Sequence, residues 1–366
     1  MKNYFLGFVC FSLMVSLCFL PSDLLAQATS FDALFKQAVA EEGFSGVVLV
    51  ADQGEIIYQE AASAPEVADQ SPPLTAETPI RIASITKAFT AILVMQLVEA
   101  GQLSLDTHVA ELLPDLGIKR AKKITVRDLL RHSSGLPNEV EALFLLPKTP
   151  QEMILETVAT QDYYRYGRFN YSNLDYLILG LMIEKITEKG WEEVLKERIL
   201  EPVGMTHTGV AHRGQADLAQ GYLSVDQGDA LSLVPEPSYY IENFHAAASM
   251  YSTAGDLLKF DQALYSDLLL KPASIELMYT SHPELGYVAL GSWVYDYYFL
   301  PSAPRMIERR GSILGHNHTF IRLPEVNQTL IILSNNDRFD PDTFGQTGSF
   351  KNRLIAALVG EEPSPR

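Results

Sequence analysis

The sequence predicts an α+β fold: one antiparallel sheet flanked by the helices at the two ends of the chain, with a mostly helical subdomain to one side. Three observations predict it. Strand-like segments lie near both ends, helical periodicity fills the middle, and each end carries an amphipathic helix outside its strands. The 366 residues, 47% of them hydrophobic, suffice for one large domain or two interleaved subdomains. The expected division is an α/β part at 29–83 and 285–360, a helical part at 84–284, and a tail at 361–366.

The elements follow in order. Lys2, an apolar run at 5–20 and the small-x-small site Ala26-Gln27-Ala28 read as a signal peptide, residues 1–28. The alternative is an uncleaved anchor, but the run falls short of the ~20 residues a span needs. Cys10 and Cys18 both lie in this segment, so the mature chain is expected to have no thiol. Ser30 is expected to cap a helix with Phe31, Leu34, Phe35 and Ala38 on one face. Residues 45–51 and 55–60 form a hairpin about Asp52-Gln53-Gly54, and the polar, Pro-rich stretch 62–78 reads as a loop.

From Ser84 the apolar period is helical through Leu97, with Gly101 as the stop. Thr125 with Asp128 opens another helix, and further helices are expected at 151–160, 172–189, 191–200 and 253–264. Residues 211–247 read mostly as loop. Strands return at 286–298, 305–310, 317–323 and 329–333, before a terminal helix at 347–358.

A net charge of −17 weighs against nucleic acid, whose binding draws on Lys and Arg, and against anionic lipid. The expected partner is a small-molecule or peptide substrate, with no stable membrane span after signal cleavage; the oligomeric state is unknown.

The chemistry centres on Ser84-Ile85-Thr86-Lys87. At a helix start, Ser84 and Lys87 share a face, and a lysine of lowered pKa can take the hydroxyl proton. The helix N-terminus directs N–H groups at an oxyanion. Alone, the pair reads as well as a capping serine and a solvated lysine. Downstream, Tyr171-Ser172-Asn173 precedes an apolar helix and offers a phenol and an amide.

Together these residues resemble the series S-x-x-K, Y-x-N, K-T-G or H-x-G of penicillin-binding proteins and serine β-lactamases. The tyrosine version is similar to class C β-lactamases, D-stereospecific peptidases and family VIII esterases. Residues 124–137, ending in Ser134-Gly135-Leu136-Pro137, together with 170–179, 201–205 and 251–260, extend the resemblance over about 44–336. It implies the β-lactamase/transpeptidase fold and an acyl-enzyme on Ser84. It also implies that Lys87 and Tyr171 share the acid and base work, that Asn173 holds the acyl-side amide, and that no cofactor is needed.

The third motif departs from the family. The glycine spacing aligns Arg309-Arg310-Gly311 with it, so Arg309 replaces the usual Lys or His. Arg309 can grip a substrate carboxylate but cannot trade protons near neutrality; the alternative is a surface ion pair with Glu308. The N–H of Ser312 would be the second oxyanion donor. His316 and His318 share a strand face, yet no third ligand is evident, so no metal is expected. His132 is expected to be structural, and His245 is a candidate to line the cleft. The resulting expectation is an exported, periplasmic or secreted serine hydrolase acting on a D-amino-acid peptide, cell-wall fragment or small ester. Dedicated β-lactamase activity is disfavoured by the third motif. A non-catalytic ligand-binding protein on the same fold is the rival.

Overall fold

The computed structural model describes residues 22–67, 71–139, 141–226 and 231–363. The apolar run at 5–20 and both cysteines lie outside the described residues. Helix α1 (Ser22–Glu41) leads into the hairpin β1 (Gly46–Asp52) and β2 (Glu55–Ala62), then the short strand β3 (Ile80–Arg81). The helical section comprises α2 (Thr86–Glu99), α3 (Val109–Leu112), α4 (Val126–Leu130), α5 (Pro150–Thr160), α6 (Asn173–Thr187), α7 (Trp191–Leu195) and α8 (Glu201–Val203). Strands β4 (Gly209–Val210), β5 (Tyr222–Asp226) and β6 (Leu231–Pro235) precede α9 (His245–Ala248), β7 (Met250–Ser252), α10 (Ala254–Ala263) and α11 (Pro272–Met278). The chain closes with β8 (Trp293–Asp296), β9 (Arg305–Ile313), β10 (His316–Leu323), β11 (Gln328–Ser334) and α12 (Phe350–Val359).

The main sheet has the order β2-β1-β11-β10-β9-β8, and every neighbouring pair is antiparallel. Strand β1 from one end of the chain thus pairs directly with β11 from the other, Gly46 opposite Ser334. Side-chain alternation splits the core between the faces of this sheet. Val48 and Val50 of β1, with Leu330 and Ile332 of β11, pack on Phe31 and Phe35 of α1 and on Leu354 and Ile355 of α12. Val47, Leu49, Ile331 and Leu333 turn the other way, into the core shared with α2, α6 and α10. The helical section therefore lies against the sheet face opposite the terminal helices, and the site forms where the two meet.

Local chemistry explains most boundaries. Gln53 and Gly54 take positive φ of 51° and 80° in the β1–β2 turn. Thr125 and Asp128 form a capping box on α4, and Thr253 caps α10 by accepting from the Asp256 N–H. Three expectations are corrected. Helix α1 begins at Ser22, so Ser30 is an exposed residue within it rather than its cap. The segment 286–298 is not one strand: Gly286, Tyr287 and Gly291 all take positive φ, which leaves only β8 extended. The segment 211–247 is not mostly loop, because β5 and β6 pair as a hairpin. A further small sheet, β3-β7-β4, is set among the helices.

Candidate active site

Ser84 lies on a 3₁₀ turn, Ala83–Ile85, that links β3 to α2. Ala83 enters this turn with φ of 47°, a conformation L residues rarely adopt. The turn is pinned on one side by the small sheet, where the Ile82 N–H donates to the Met250 carbonyl. On the other side it is pressed by β9. A Cβ on Gly311 would stand 2.4 Å from the Ile82 carbonyl oxygen and 3.3 Å from the Ser84 nitrogen. Only glycine lets the strand approach this closely.

Lys87 is fully buried in the first turn of α2. Its Nζ is 3.0 Å from Ser84 Oγ, 2.6 Å from Asn173 Oδ1 and 2.9 Å from the Ala247 carbonyl oxygen. A neutral amine has two N–H donors and one lone pair. Two of these neighbours can only accept, so they take both N–H groups and leave the lone pair facing the Ser84 hydroxyl. Burial, then the charge of Arg309, holds the Lys87 pKa well below the ordinary lysine range, while Glu139 and Asp175 oppose the shift.

Tyr171 donates its hydroxyl to Ser84 Oγ at 2.6 Å and accepts from Arg309 Nη2 at 3.2 Å. Burial raises its pKa and the Arg309 charge opposes that rise, so Tyr171 is a phenol near neutrality. Its ring is 4.5 Å from that of His132, which is itself fully buried. His132 Nδ1 lies 3.3 Å from the Ser172 N–H and 3.0 Å from Asp175 Oδ2. Burial holds the His132 pKa well below the ordinary histidine range and the Asp175 pKa well above the ordinary carboxylate range. His132 thus supports Tyr171 from behind and does not reach Ser84.

Asn173 is the first residue of α6. Its backbone N–H donates to Asn138 Oδ1 at 2.8 Å, and Ser172 Oγ donates to the Pro137 carbonyl at 2.6 Å. The Ser-Gly-Leu-Pro segment therefore clamps the helix start. Asn173 Nδ2 donates to Glu139 Oε1 at 2.5 Å. Glu139 is a group that sequence reasoning missed; its only signal was its place two residues after that segment.

Arg309 turns into the site, as the alignment implied. Only 2% exposed, it donates from Nε to the Ser84 carbonyl at 2.8 Å, from Nη1 to Gly291 at 3.3 Å and from Nη2 to Tyr171. Its guanidinium lies 5.7 Å from the Tyr171 ring and 5.2 Å from that of Trp293. Three of its five N–H groups are engaged by protein groups, which hold it against the Ser84 turn and Tyr171. The alternative of an ion pair with Glu308 is filled by Arg310 instead, at 3.1 Å. Gly311 fits the turn as described. Ser312 is exposed, and its Oγ donates to Asn317 at 2.5 Å. It lies beyond Glu308, where β9's pairing with β8 ends, on the stretch of strand beside the Ser84 turn.

The remaining histidines lie elsewhere. His245 is not in the cleft: Nε2 faces Glu184 at 3.1 Å and the ring packs on Trp191. Its segment contributes instead through the Ala247 backbone. His316 pairs with Glu236 at 3.3 Å. His318 accepts from the Ser334 N–H and donates to the Arg81 carbonyl, and burial lowers its pKa to about 3. Among the described residues no cluster of His, Cys, Asp and Glu forms a metal site.

The Beta-lactamase family profile matches residues 31–348. Penicillin-binding protein 4* of Bacillus subtilis is 28% identical over 326 residues, 83% of this chain and 71% of that protein. The octameric penicillin-binding protein homologue from Pyrococcus abyssi superposes with a TM-score of 0.76 at 26% identity, over 91% of this chain and 78% of that one. D-amino acid amidase from Ochrobactrum anthropi SV3, solved with L-phenylalanine amide, gives 0.77 at 25% identity, over 93% and 99%.

Proposed function

The chain belongs to the Beta-lactamase family and is a serine hydrolase of that fold, and from this premise we propose that Ser84 is its nucleophile, with Lys87 as base and Tyr171 as proton relay. One observation carries the proposal: the buried Lys87 amine has acceptors for two N–H groups and a hydroxyl for its lone pair. Lys87 takes the Ser84 proton as Oγ bonds to the substrate carbonyl carbon. The N–H groups of Ser84 and Ser312 receive the developing oxyanion. As the carbonyl re-forms, the bond to the leaving amine or alkoxide breaks, and the proton reaches it from Lys87 through Tyr171. Water then releases the acyl group by the reverse sequence. Asn173 positions the acyl side and Gly311 lets β9 close on the turn. Arg309 holds the Tyr171 oxygen and depresses the Lys87 pKa.

The substrate class is an amide or ester with a small acyl part, including D-amino-acid amides, the class named for the Ochrobactrum relative. Export is proposed as well, on the apolar run at 5–20 and Ala26-Gln27-Ala28; the N-terminal peptide of the protein secreted from its host tests it. The hydrolase reading is tested by labelling with a fluorophosphonate, with Ser84→Ala as control and mass spectrometry to place the adduct. Stoichiometric modification of Ser84 is expected. A folded protein that binds ligand but leaves Ser84 unlabelled sinks the hydrolase in favour of a binding protein.

A further inference from the structure

Two residues before Ala247, whose carbonyl accepts from Lys87, the backbone is held in a conformation that side chains rarely adopt. His245 has φ of 40° and ψ of −128°. Such a residue persists only where its surroundings impose it. Here they do so from three sides. His245 Nε2 donates to Glu184 Oε1 at 3.1 Å, and the same oxygen takes the Trp191 N–H at 2.9 Å. The ring packs on Trp191, with centroids 5.3 Å apart. Its Nδ1 edge lies over Gly180 of α6, where a Cβ would stand 2.7 Å from both Nδ1 and the Ala246 Cβ. Glycine at 180 lets the turn sit this close. Ser249 ties down the His245 carbonyl, donating to it from Oγ at 2.6 Å.

His245 stands where the 3₁₀ turn Ile241–Phe244 gives way to α9. The carbonyls that follow face α2. Ala246 accepts from Thr90 Oγ1 at 2.7 Å and Ala247 from Lys87 Nζ at 2.9 Å. The Met250 N–H then donates to Thr86 Oγ1 at 3.2 Å, and its carbonyl accepts from the Ile82 N–H at 2.9 Å. Residues 246–250 thus bond to both sides of the Ser84 turn, and His245 anchors that stretch to α6.

We propose that His245 is a positioning residue for the base: seated by Glu184, Trp191 and Gly180, it fixes the Ala247 carbonyl against Lys87 and so sets where the amine lone pair points. This rests on Ser84 being the nucleophile and Lys87 its base. Packing alone would be served by an apolar side chain at an ordinary φ. A ring bonded at one nitrogen and crowded at the other fixes orientation, which the carbonyl two residues on requires. An amine that loses this acceptor can turn its lone pair away from the Ser84 hydroxyl. The ammonium loses more. It has three N–H groups for the acceptors on Ser84, Asn173 and Ala247, whereas the amine needs only two. Releasing Ala247 therefore slows attack by Ser84 and at the same time disfavours protonation of Lys87.

The test is the rate of Ser84 labelling by a fluorophosphonate as a function of pH, in wild type, His245→Gly, Glu184→Ala and Glu184→Gln, with thermal melting of each. Glycine at 245 accepts the backbone conformation and removes only the ring. Alanine at 184 removes the seat and keeps the ring. Both are expected to lower the plateau rate by about 10-fold or more and to move the rising limb to lower pH. Gln at 184 keeps an acceptor for His245 and for the Trp191 N–H, and is expected to restore both plateau and limb. Should His245→Gly fail to fold, the two Glu184 variants decide. Wild-type plateau and limb in either folded variant, His245→Gly or Glu184→Ala, overturns the proposal. A lower plateau with the limb unmoved, or moved to higher pH, marks a general loosening of the site and overturns it as well. So does Glu184→Gln as slow as Glu184→Ala, because charge and not the seat then matters. Absence of labelling in folded wild type removes the nucleophile and this inference together.

Discussion

The two faces of β9 bury charge in opposite ways. On the face towards the terminal helices, Glu308 is fully buried and met by Lys351 at 3.1 Å, Arg310 at 3.1 Å and the Tyr295 hydroxyl at 2.6 Å. One residue on, facing the helical section, Arg309 is buried among carbonyls and a phenol, with Lys87 nearby and, among the described residues, no carboxylate bonded to either. The first arrangement favours the charged forms of Glu308 and Arg310 and stabilises the fold. The second penalises the charged form of Lys87, and so favours its neutral amine. Adjacent residues of one strand thus serve stability and chemistry separately, because alternation sends them to different environments.

The largest effect that sharpens this contrast is at Lys87. Lys87→Met should lower kcat/KM by roughly 10²–10⁴-fold while leaving the thermal midpoint unchanged or higher, since it removes a penalised buried amine. A collapse of the midpoint would break the comparison by making Lys87 structural. Next, Gly311→Ala should cost activity on the order of 10²-fold by pushing β9 off the Ser84 turn, with little loss of secondary structure by circular dichroism.

On the other face the effects reverse. Lys351→Met should destabilise by about 3 kcal/mol in urea titration, because Glu308 loses its nearest ammonium, with kcat per folded molecule retained. The pH dependence carries the same sign logic. Glu308 is lowered to about 2 by Lys351 and Arg310, against the effect of burial. The unfolded chain therefore binds the extra proton between the ordinary Glu range and pH 2. Stability from this group is complete above about pH 4.5 and is lost as pH falls towards about 2. Lys351→Met should move that acid transition upward.

The smallest effect is at Arg309. Its charge lowers the Lys87 pKa, so Arg309→Gln should shift the rising limb of the kcat/KM profile to higher pH, against the opposing influence of Glu139 and Asp175. An unmoved limb would mean that burial alone tunes the lysine.

How much of this was legible in the sequence depended on what each group uses. Ser84, Lys87, Tyr171 and Asn173 were visible because side-chain chemistry at fixed spacing leaves a residue-type pattern, and the sheet from both chain ends was visible in its strand periodicity. The Ala247 and Gly291 carbonyls were not, because any residue supplies a backbone oxygen. Glu139 was hidden because one acid in a loop has no period. The orientation of Arg309 followed from the alignment, whereas its bonds to Gly291 and Tyr171 did not, because those residues are remote in the chain. The β5–β6 hairpin was missed because its strands are short and only partly buried, so they show little alternation.

The pairing of Gly46 with Ser334 has a consequence for how the protein is made. Strand β1 pairs early with β2 but waits through almost the whole of synthesis for β11, and β9, which closes the site, is also made late. A ribosome-bound chain ending before β9 has every residue of the Ser84, Lys87, Tyr171 and Asn173 cluster and no wall to hold it. Folding dominated by so distant a pairing is slow, so activity should first appear only after β9 and β11 have emerged from the ribosome.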